Sequence, residues 1–227
     1  MFQNRQVYCF IPARGGSKGV KNKNRLLISK KPLVEHSIES AKKIKYIDKI
    51  FISTDDDVIK KIALKNNVIV INRKKELGTD STNILDVFKH MIDEIQIRDF
   101  IIIIFFPTAP IRDTKQISKA FRLYDENTDC VISVVKSKIR PAWLFVEENG
   151  CLEFWKKGKP EPNRQQQKEN YYYLTGTAII TSSEFLRKQK HVFVGGKIKG
   201  FVVDEINGTD IDTKLDFKIC KFLMEQL

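Results

Sequence analysis

No two of the four cysteines, Cys9, Cys130, Cys151 and Cys220, stand close together, and no histidine lies at metal-ligand spacing from any of them. A zinc cluster of Cys and His is thereby excluded. Cys9, Cys130 and Cys220 fall in apolar stretches and read as reduced thiols that behave as small hydrophobes. No apolar run approaches the roughly 18 residues that a membrane span requires. The start of the chain lacks the basic, apolar and cleavage regions of a leader. The expectation is therefore a cytoplasmic protein with no membrane partner. There is no internal repeat and no low-complexity tract, and neither a G-x-x-x-x-G-K-[ST] P-loop nor a G-x-G-x-x-G dinucleotide fingerprint occurs.

What is present is ordinary in bulk and distinctive in pattern. Hydrophobic residues make up 42% and charged residues 30% of 227 residues, the composition of a folded domain. At about 100 to 200 residues per domain the length suggests one domain over residues 1–227. Lys and Arg number 40 against 28 Asp and Glu, a net charge of +12, so a basic nucleic-acid-binding module has to be weighed. The lysines speak against it. Lys42, Lys43, Lys45, Lys60, Lys61 and Lys65 are spread over helical stretches, as on solvated faces, instead of being massed in an arm with interleaved aromatics.

Short apolar runs alternate with stretches of helical period. Residues 7–13, 49–54, 68–71, 100–106 and 130–135 read as strands. Helices are expected from Pro32 through Ile44, after Asp55, Asp56 and Asp57, over residues 83–95 and over residues 113–124. Residues 100–106 are apolar at consecutive positions, the mark of a central parallel strand covered on both faces. The alternation predicts a doubly wound α/β sheet. It breaks over residues 136–173, a stretch too long and too aromatic for an ordinary connection. Through Trp143, Phe145, Phe154 and Trp155 this excursion would either carry an oligomer contact or form a second small cluster over the same domain. Residues 174–181 return to the sheet, and residues 212–227 form a last amphipathic helix with Leu215, Ile219 and Leu223 on one face.

Chemistry gathers at the strand ends, where open α/β sheets bind ligands. Residues 11–24 place Gly15 and Gly16, Arg14, Lys18, Lys21 and Lys23 directly after the first strand. Glycines let backbone N–H groups converge on an anion and the cations neutralise it, a cradle for a polyphosphate such as a nucleoside triphosphate. Residues 53–55 follow the second strand, residues 107–112 follow the apolar central strand, and residues 209–212 precede the last helix. Asp210 and Asp212 form a D-x-D pair whose side chains project to one side of an extended segment. An isolated pair of this kind is more often a loop with Asp212 capping a helix. Beside a triphosphate it becomes a Mg²⁺ site, since hard carboxylate oxygens hold the cation and leave positions for phosphate and water. Arg164, in the excursion, has a guanidinium fork suited to a substrate carboxylate.

Taken together these residues resemble the acylneuraminate cytidylyltransferase family, over nearly the whole chain. The blocks are residues 11–19 running to Lys23 and Asn24, residues 52–55, Glu76 and Leu77 with residues 80–82, residues 107–110 with Arg112, Arg164 with Gln165, and residues 210–213. The resemblance implies a mainly parallel fold of the nucleotide-diphospho-sugar transferase type, usually a homodimer whose excursion packs on the partner. It implies that Arg14 and Lys23 hold the phosphates of CTP, helped by Lys18, that Asn24 with Ser81 or Thr82 binds around the nucleotide, and that Ala13, Gly15 and Thr108 belong to the same substrate contact. Asp210 and Asp212 would ligate Mg²⁺, with Asp210 catalytic alongside Arg14 and Lys23, and Arg164 would meet the sugar acid. The implied reaction is attack of the anomeric hydroxyl of a 2-keto sugar acid on the α-phosphorus of CTP, giving a CMP-sugar and pyrophosphate. A different keto sugar or a sugar phosphate is the alternative acceptor. Two departures bear on that choice: Phe106 stands where sialic-acid-activating members often have glutamine, and Thr175-Gly176-Thr177 where they often have Asn-Gly-Ala. A phenyl ring cannot hydrogen-bond an acylamino or hydroxyl group, so the acceptor half differs while the nucleotide half is complete.

Overall fold

Four consecutive isoleucines, Ile101, Ile102, Ile103 and Ile104, are fully buried at the middle of the molecule, and the sheet is built outward from them. In the computed structural model, which describes residues 1–17, 19–155, 170–190 and 196–226, they form β6 (Ile101–Ile104). The strands before it are β1 (Val7–Pro12), the small hairpin β2 (Leu27–Ile28) and β3 (Lys31–Pro32), β4 (Lys49–Thr54) and β5 (Ile69–Asn72). Those after it are β7 (Cys130–Lys136), a second hairpin β8 (Phe145–Glu148) and β9 (Cys151–Phe154), β10 (Tyr172–Ser182) and β11 (Ile198–Val202). Among the described residues the main sheet has seven strands in the order β11-β7-β10-β6-β1-β4-β5.

Among the described residues six helices accompany it: α1 (Leu33–Lys42), α2 (Asp57–Lys65), α3 (Ile84–Asp93), α4 (Thr114–Ala120), α5 (Ser183–Lys188) and α6 (Lys214–Gln226). Alternation along β1 sorts the first five into two layers. Val7, Cys9 and Ile11 pack with Val34 and Ile38 of α1, Ile59 of α2 and Ile117 of α4, whereas Tyr8 and Phe10 pack with Leu85, Phe88 and Met91 of α3 and Leu186 of α5. The sheet is thus wound on both faces, as its alternation predicts.

The mainly parallel sheet stands, with details that the sequence did not give. The central strand β6 is parallel to β1 but antiparallel to β10, which also runs antiparallel to β7. A strand buried on both faces reads the same in either direction, so apolar composition carries no sign of this. Of the expected face of the last helix, Leu223 turns inward while Leu215 and Ile219 do not: Leu215 is 65% and Ile219 46% exposed. The helix turns Cys220 inward as well, with Phe217, Leu223 and Met224 packed against Val20, Ile28, Leu33, Ile111 and Ile211. The aromatic excursion, as far as it is described, forms the β8–β9 hairpin apart from the main sheet. Its Trp143, Phe145, Phe154 and Trp155 are all exposed, so they do not cover the core. No described helix is long and apolar enough to cross a membrane.

Candidate functional site

The carboxyl ends of β1, β5 and β6 open on one cleft of about 300 Å³, lined by Pro12, Arg14, Ser17, Gly19, Lys23, Asn24, Arg73, Ile84, Phe106, Pro107, Thr108 and Asp212. Chain ends far apart in sequence meet there. Ile211 is fully buried, so in an extended segment its neighbours Asp210 and Asp212 must turn the other way, and both are exposed. The Ile211 N–H donates to the Thr108 carbonyl at 2.8 Å. The Lys23 Nζ donates to the Ile211 carbonyl and stands 3.5 Å from Asp212 Oδ1. Gly19 completes the junction: a Cβ there would come within 2.1 Å of the Asp212 carbonyl, so only glycine lets the loop after β1 lie against the D-x-D segment.

The helix-cap explanation of Asp212 does not hold. Thr213 and Asp216 cap α6 between themselves: Asp216 Oδ2 accepts from the Thr213 N–H at 2.7 Å and the Thr213 hydroxyl at 2.8 Å, and Thr213 Oγ1 accepts from the Asp216 N–H at 3.2 Å. These contacts, led by the bond from the Thr213 N–H, hold the Asp216 carboxyl below its ordinary value. Asp212 is left with its carboxylate in the open. Two exposed carboxylates are a hard oxygen set of the kind that Mg²⁺ takes. No third His, Cys, Asp or Glu joins them among the described residues, so phosphate and water oxygens would complete the shell. The Asp210 carboxylate lies beside Gly176, where an added Cβ would come 3.3 Å from its Oδ2.

The glycine loop is already engaged. The Gly15 N–H donates to Asp55 Oδ1 at 2.8 Å, and Arg14 pairs with Asp80 at 2.5 Å and reaches the Gly78 carbonyl at 3.4 Å. These contacts draw the turn of residues 78–82 toward the loop. Ser81 and Thr82 lie on that turn without lining the cleft; each meets Thr79 Oγ1, at 3.2 and 2.8 Å. Ala13 is fully buried and its N–H is spent on the Ser53 carbonyl at 2.9 Å. Asn24, also buried, donates from Nδ2 to the Arg14 carbonyl at 2.9 Å, while its Oδ1 has no hydrogen-bond partner among the described residues. Lys18 and Arg164 lie outside the described residues. Neither His36 nor His90 lines the cleft.

Arg73 belongs to the cleft although no motif points to it. Its guanidinium is buried, with Nε donating to Ser53 Oγ at 3.1 Å and Nη2 to the Ser53 carbonyl at 2.9 Å. Burial lowers it below the usual arginine value, with neighbouring Asp55 pulling the other way. The rule that nominates residues after the other strands names it as well, since Arg73 follows β5 directly; in sequence it is hidden in the basic run with Lys74 and Lys75.

A family model described as cytidylyltransferase matches residues 8–194. The chain is 30% identical over 218 residues to the N-acylneuraminate cytidylyltransferase of Escherichia coli, covering 94% of this chain and 51% of that protein. It thus spans about half the length of that relative. It is 33% identical over 227 residues to the CMP-N,N'-diacetyllegionaminic acid synthase of Campylobacter jejuni, covering 96% of this chain and 95% of that one. Among solved structures, CMP:2-keto-3-deoxy-manno-octonic acid synthetase complexed with CTP superposes with a TM-score of 0.74 at 18% identity, over 97% of this chain and 99% of that chain. This last likeness concerns the fold alone.

Proposed function

Since the chain belongs to the cytidylyltransferase family, we propose that it transfers the cytidylyl group of CTP to the anomeric hydroxyl of a 2-keto sugar acid, a nonulosonic acid or a close relative. The anomeric oxygen bonds to the α-phosphorus as the bond to pyrophosphate breaks. The observation that carries this reading is the single cleft that holds Arg14, Lys23, Asn24, Arg73, Thr108 and Asp212 together.

In this reading the cations of Arg14, Lys23 and Arg73 take the phosphates. Arg14 keeps donors to spare, because its bonds to Asp80 and Gly78 use two of the five that a guanidinium carries. Asn24 Oδ1, buried and without a partner among the described residues, offers an acceptor to a ligand N–H. Lys18, Ser81, Thr82, Gly15 and Ala13 form or support the rim around the nucleotide, and Arg164 meets the acid of the sugar. Asp210 and Asp212 would hold Mg²⁺, which when bound polarises the phosphate and offsets charge on the leaving group. The residues themselves act by orientation and by neutralising charge where it develops, and no protein nucleophile is needed.

Phe106 shapes the acceptor side. Its ring stands 6.2 Å from that of Phe88 in an edge-on contact, and it lines the cleft next to Ile84, an apolar wall that gives no hydrogen bond to an acylamino or hydroxyl group. This supports a legionaminic, pseudaminic or deaminated nonulosonic acid over the common sialic acid. The exposed aromatics of the β8–β9 hairpin support a homodimer in which the hairpin packs on the second copy.

Pyrophosphate release measured with Mg²⁺, each of CTP, ATP, GTP and UTP, and a panel of 2-keto sugar acids tests the proposal. Release with CTP and a keto sugar acid only is the expected result; no release from any combination overturns it.

A further inference from the structure

β10 does not run evenly beside β7. Leu174 pairs with Val134 and Ile179 with Ile132, so residues 175–178 stand opposite Ser133 alone. A bulge of this size takes backbone groups out of the ladder, and buried groups then need substitutes. Hydroxyls supply them. Ser133 Oγ accepts from the Ala178 N–H at 3.0 Å and from Thr175 Oγ1 at 2.8 Å, and donates to the Thr175 carbonyl at 3.1 Å. Ser133, Thr175 and Thr177 are all buried. The Thr177 hydroxyl reaches out of this knot and donates to the Asn207 carbonyl at 2.7 Å.

The outer edge of the bulge faces the site. The Gly176 carbonyl accepts from the Phe106 N–H at 3.3 Å, and the Thr177 carbonyl accepts from Arg112 Nε at 2.9 Å. A Cβ on Gly176 would come 3.2 Å from Phe106 Cβ and 3.3 Å from Asp210 Oδ2, so the bare backbone of the bulge is the surface beside which the Asp210 carboxylate lies. The segment carrying Asp210 is pinned on either side of it: Thr177 holds the Asn207 carbonyl before it, and Thr108 holds the Ile211 N–H after it. Gly208 brings the segment close to β7, since a Cβ there would meet Val135 Cγ2 at 2.3 Å.

We infer that Thr177, which lies on the bulge with its hydroxyl 3.1 Å from that of Thr175, is a positioning residue for Asp210: its bond to Asn207 sets how the segment before Asp210 lies on the bulge and so orients the carboxylate for a cation. The inference rests on the reading of Asp210 as a ligand of a divalent cation. A hydroxyl that only satisfies a buried carbonyl would matter to stability and leave cation binding unchanged.

Mn²⁺ binding followed by electron paramagnetic resonance, with CTP present and no acceptor, separates these roles without turnover. Thr177→Val keeps the branched shape and removes the donor; it weakens Mn²⁺ binding about tenfold, the effect typical of losing a group that orients a ligand. Thr177→Ser, which keeps the hydroxyl, binds within about twofold of the parent, and amide exchange over residues 207–212 speeds up in the valine variant alone. If Thr177→Val does not fold, Thr177→Ala carries the same comparison. Asp210→Asn separates the two layers of the claim. Loss of Mn²⁺ binding in Asp210→Asn together with parent-like binding and exchange in Thr177→Val overturns the positioning role and leaves the cation site standing. Parent-like binding in Asp210→Asn overturns the cation site itself.

Discussion

Arginines taken out of water need acceptors, and the two beneath this cleft find them on the backbone and on serine hydroxyls. Arg112 donates to the Thr177 carbonyl, Ser37 Oγ and the Phe106 carbonyl, with its guanidinium over the Phe105 ring at 4.5 Å. It ties together the β10 bulge, α1 and the turn after β6. Arg73, whose guanidinium bonds only to Ser53 among the described residues, keeps donors for a ligand. Arg73→Lys loses the planar fork, and a charged hydrogen bond is worth about 1.5 to 3 kcal/mol; steady-state kinetics should show KM for CTP raised at least about tenfold with a smaller change in kcat. The thiols divide by the same logic of burial. Burial pushes Cys130 and Cys220 up to about 12, and Cys9 higher still, whereas Cys151 is exposed. Since the thiolate is the reactive form, iodoacetamide followed by mass spectrometry should label Cys151 first, with the other three protected until unfolding. Phe106→Gln restores a hydrogen-bonding group to the acceptor side; its turnover on N-acetylneuraminic acid relative to other keto sugar acids should rise, and an unchanged ratio would remove Phe106 from acceptor choice.

Helix starts show how far local sequence reaches. Three acidic residues in a row, Asp55, Asp56 and Asp57, mark the start of α2, and Asp56 is the cap, accepting from the Val58 and Ile59 N–H groups at 2.9 and 3.0 Å. Asp56→Ala costs about 1 kcal/mol, a fall in Tm of about 2 to 4 °C for a chain of this size, measurable by calorimetry. At α6 the cap is titratable. The Asp216 carboxyl is lowered in the folded state by its bonds from Thr213, so its contribution is present above the unfolded value and is lost as pH falls through the folded one. Helical signal from the α6 start should therefore fade below about pH 4, and Asp216→Asn should flatten that part of the acid titration. The face of α6 is a different matter. Its period permits either of two neighbouring stripes to turn inward, and the partner decides: Ile28, Leu33 and Ile211 receive Phe217 and Cys220, leaving Leu215 outside.

Across the whole molecule, the apolar surface that the β8–β9 hairpin presents is unusual for an isolated chain. Trp155 is 61% and Leu152 70% exposed, with the rings of Phe145 and Phe154 in tilted contact at 4.4 Å. If this hairpin packs on a second copy, sedimentation velocity should give a dimer, and Phe154→Glu with Trp155→Glu should give a monomer that is still folded. A monomeric parent would refute the proposed assembly. Of the cations, Arg14, Arg25, Lys23 and Lys199 are each paired with an aspartate, pairs that leave the net charge of +12 unchanged.

The main strands and helices up to β7, the acidic start of α2 and three of the polar clusters were legible in the sequence, because each depends on neighbours within a few positions: a period of two or of 3.6 residues, an aspartate ahead of a helix, glycines after a strand. The tertiary structure alone decided the reversed direction of β10, the bulge opposite Ser133, the inward face of α6 and the bonds that hold Arg73 in the cleft. Each of these is set by groups far apart in the chain. Arg73 lies 20 residues from the Ser53 that holds it, and Lys23 lies 188 residues from the Ile211 carbonyl it meets. Burial and hydrogen-bond satisfaction are properties of the packed whole, so no local pattern can encode them.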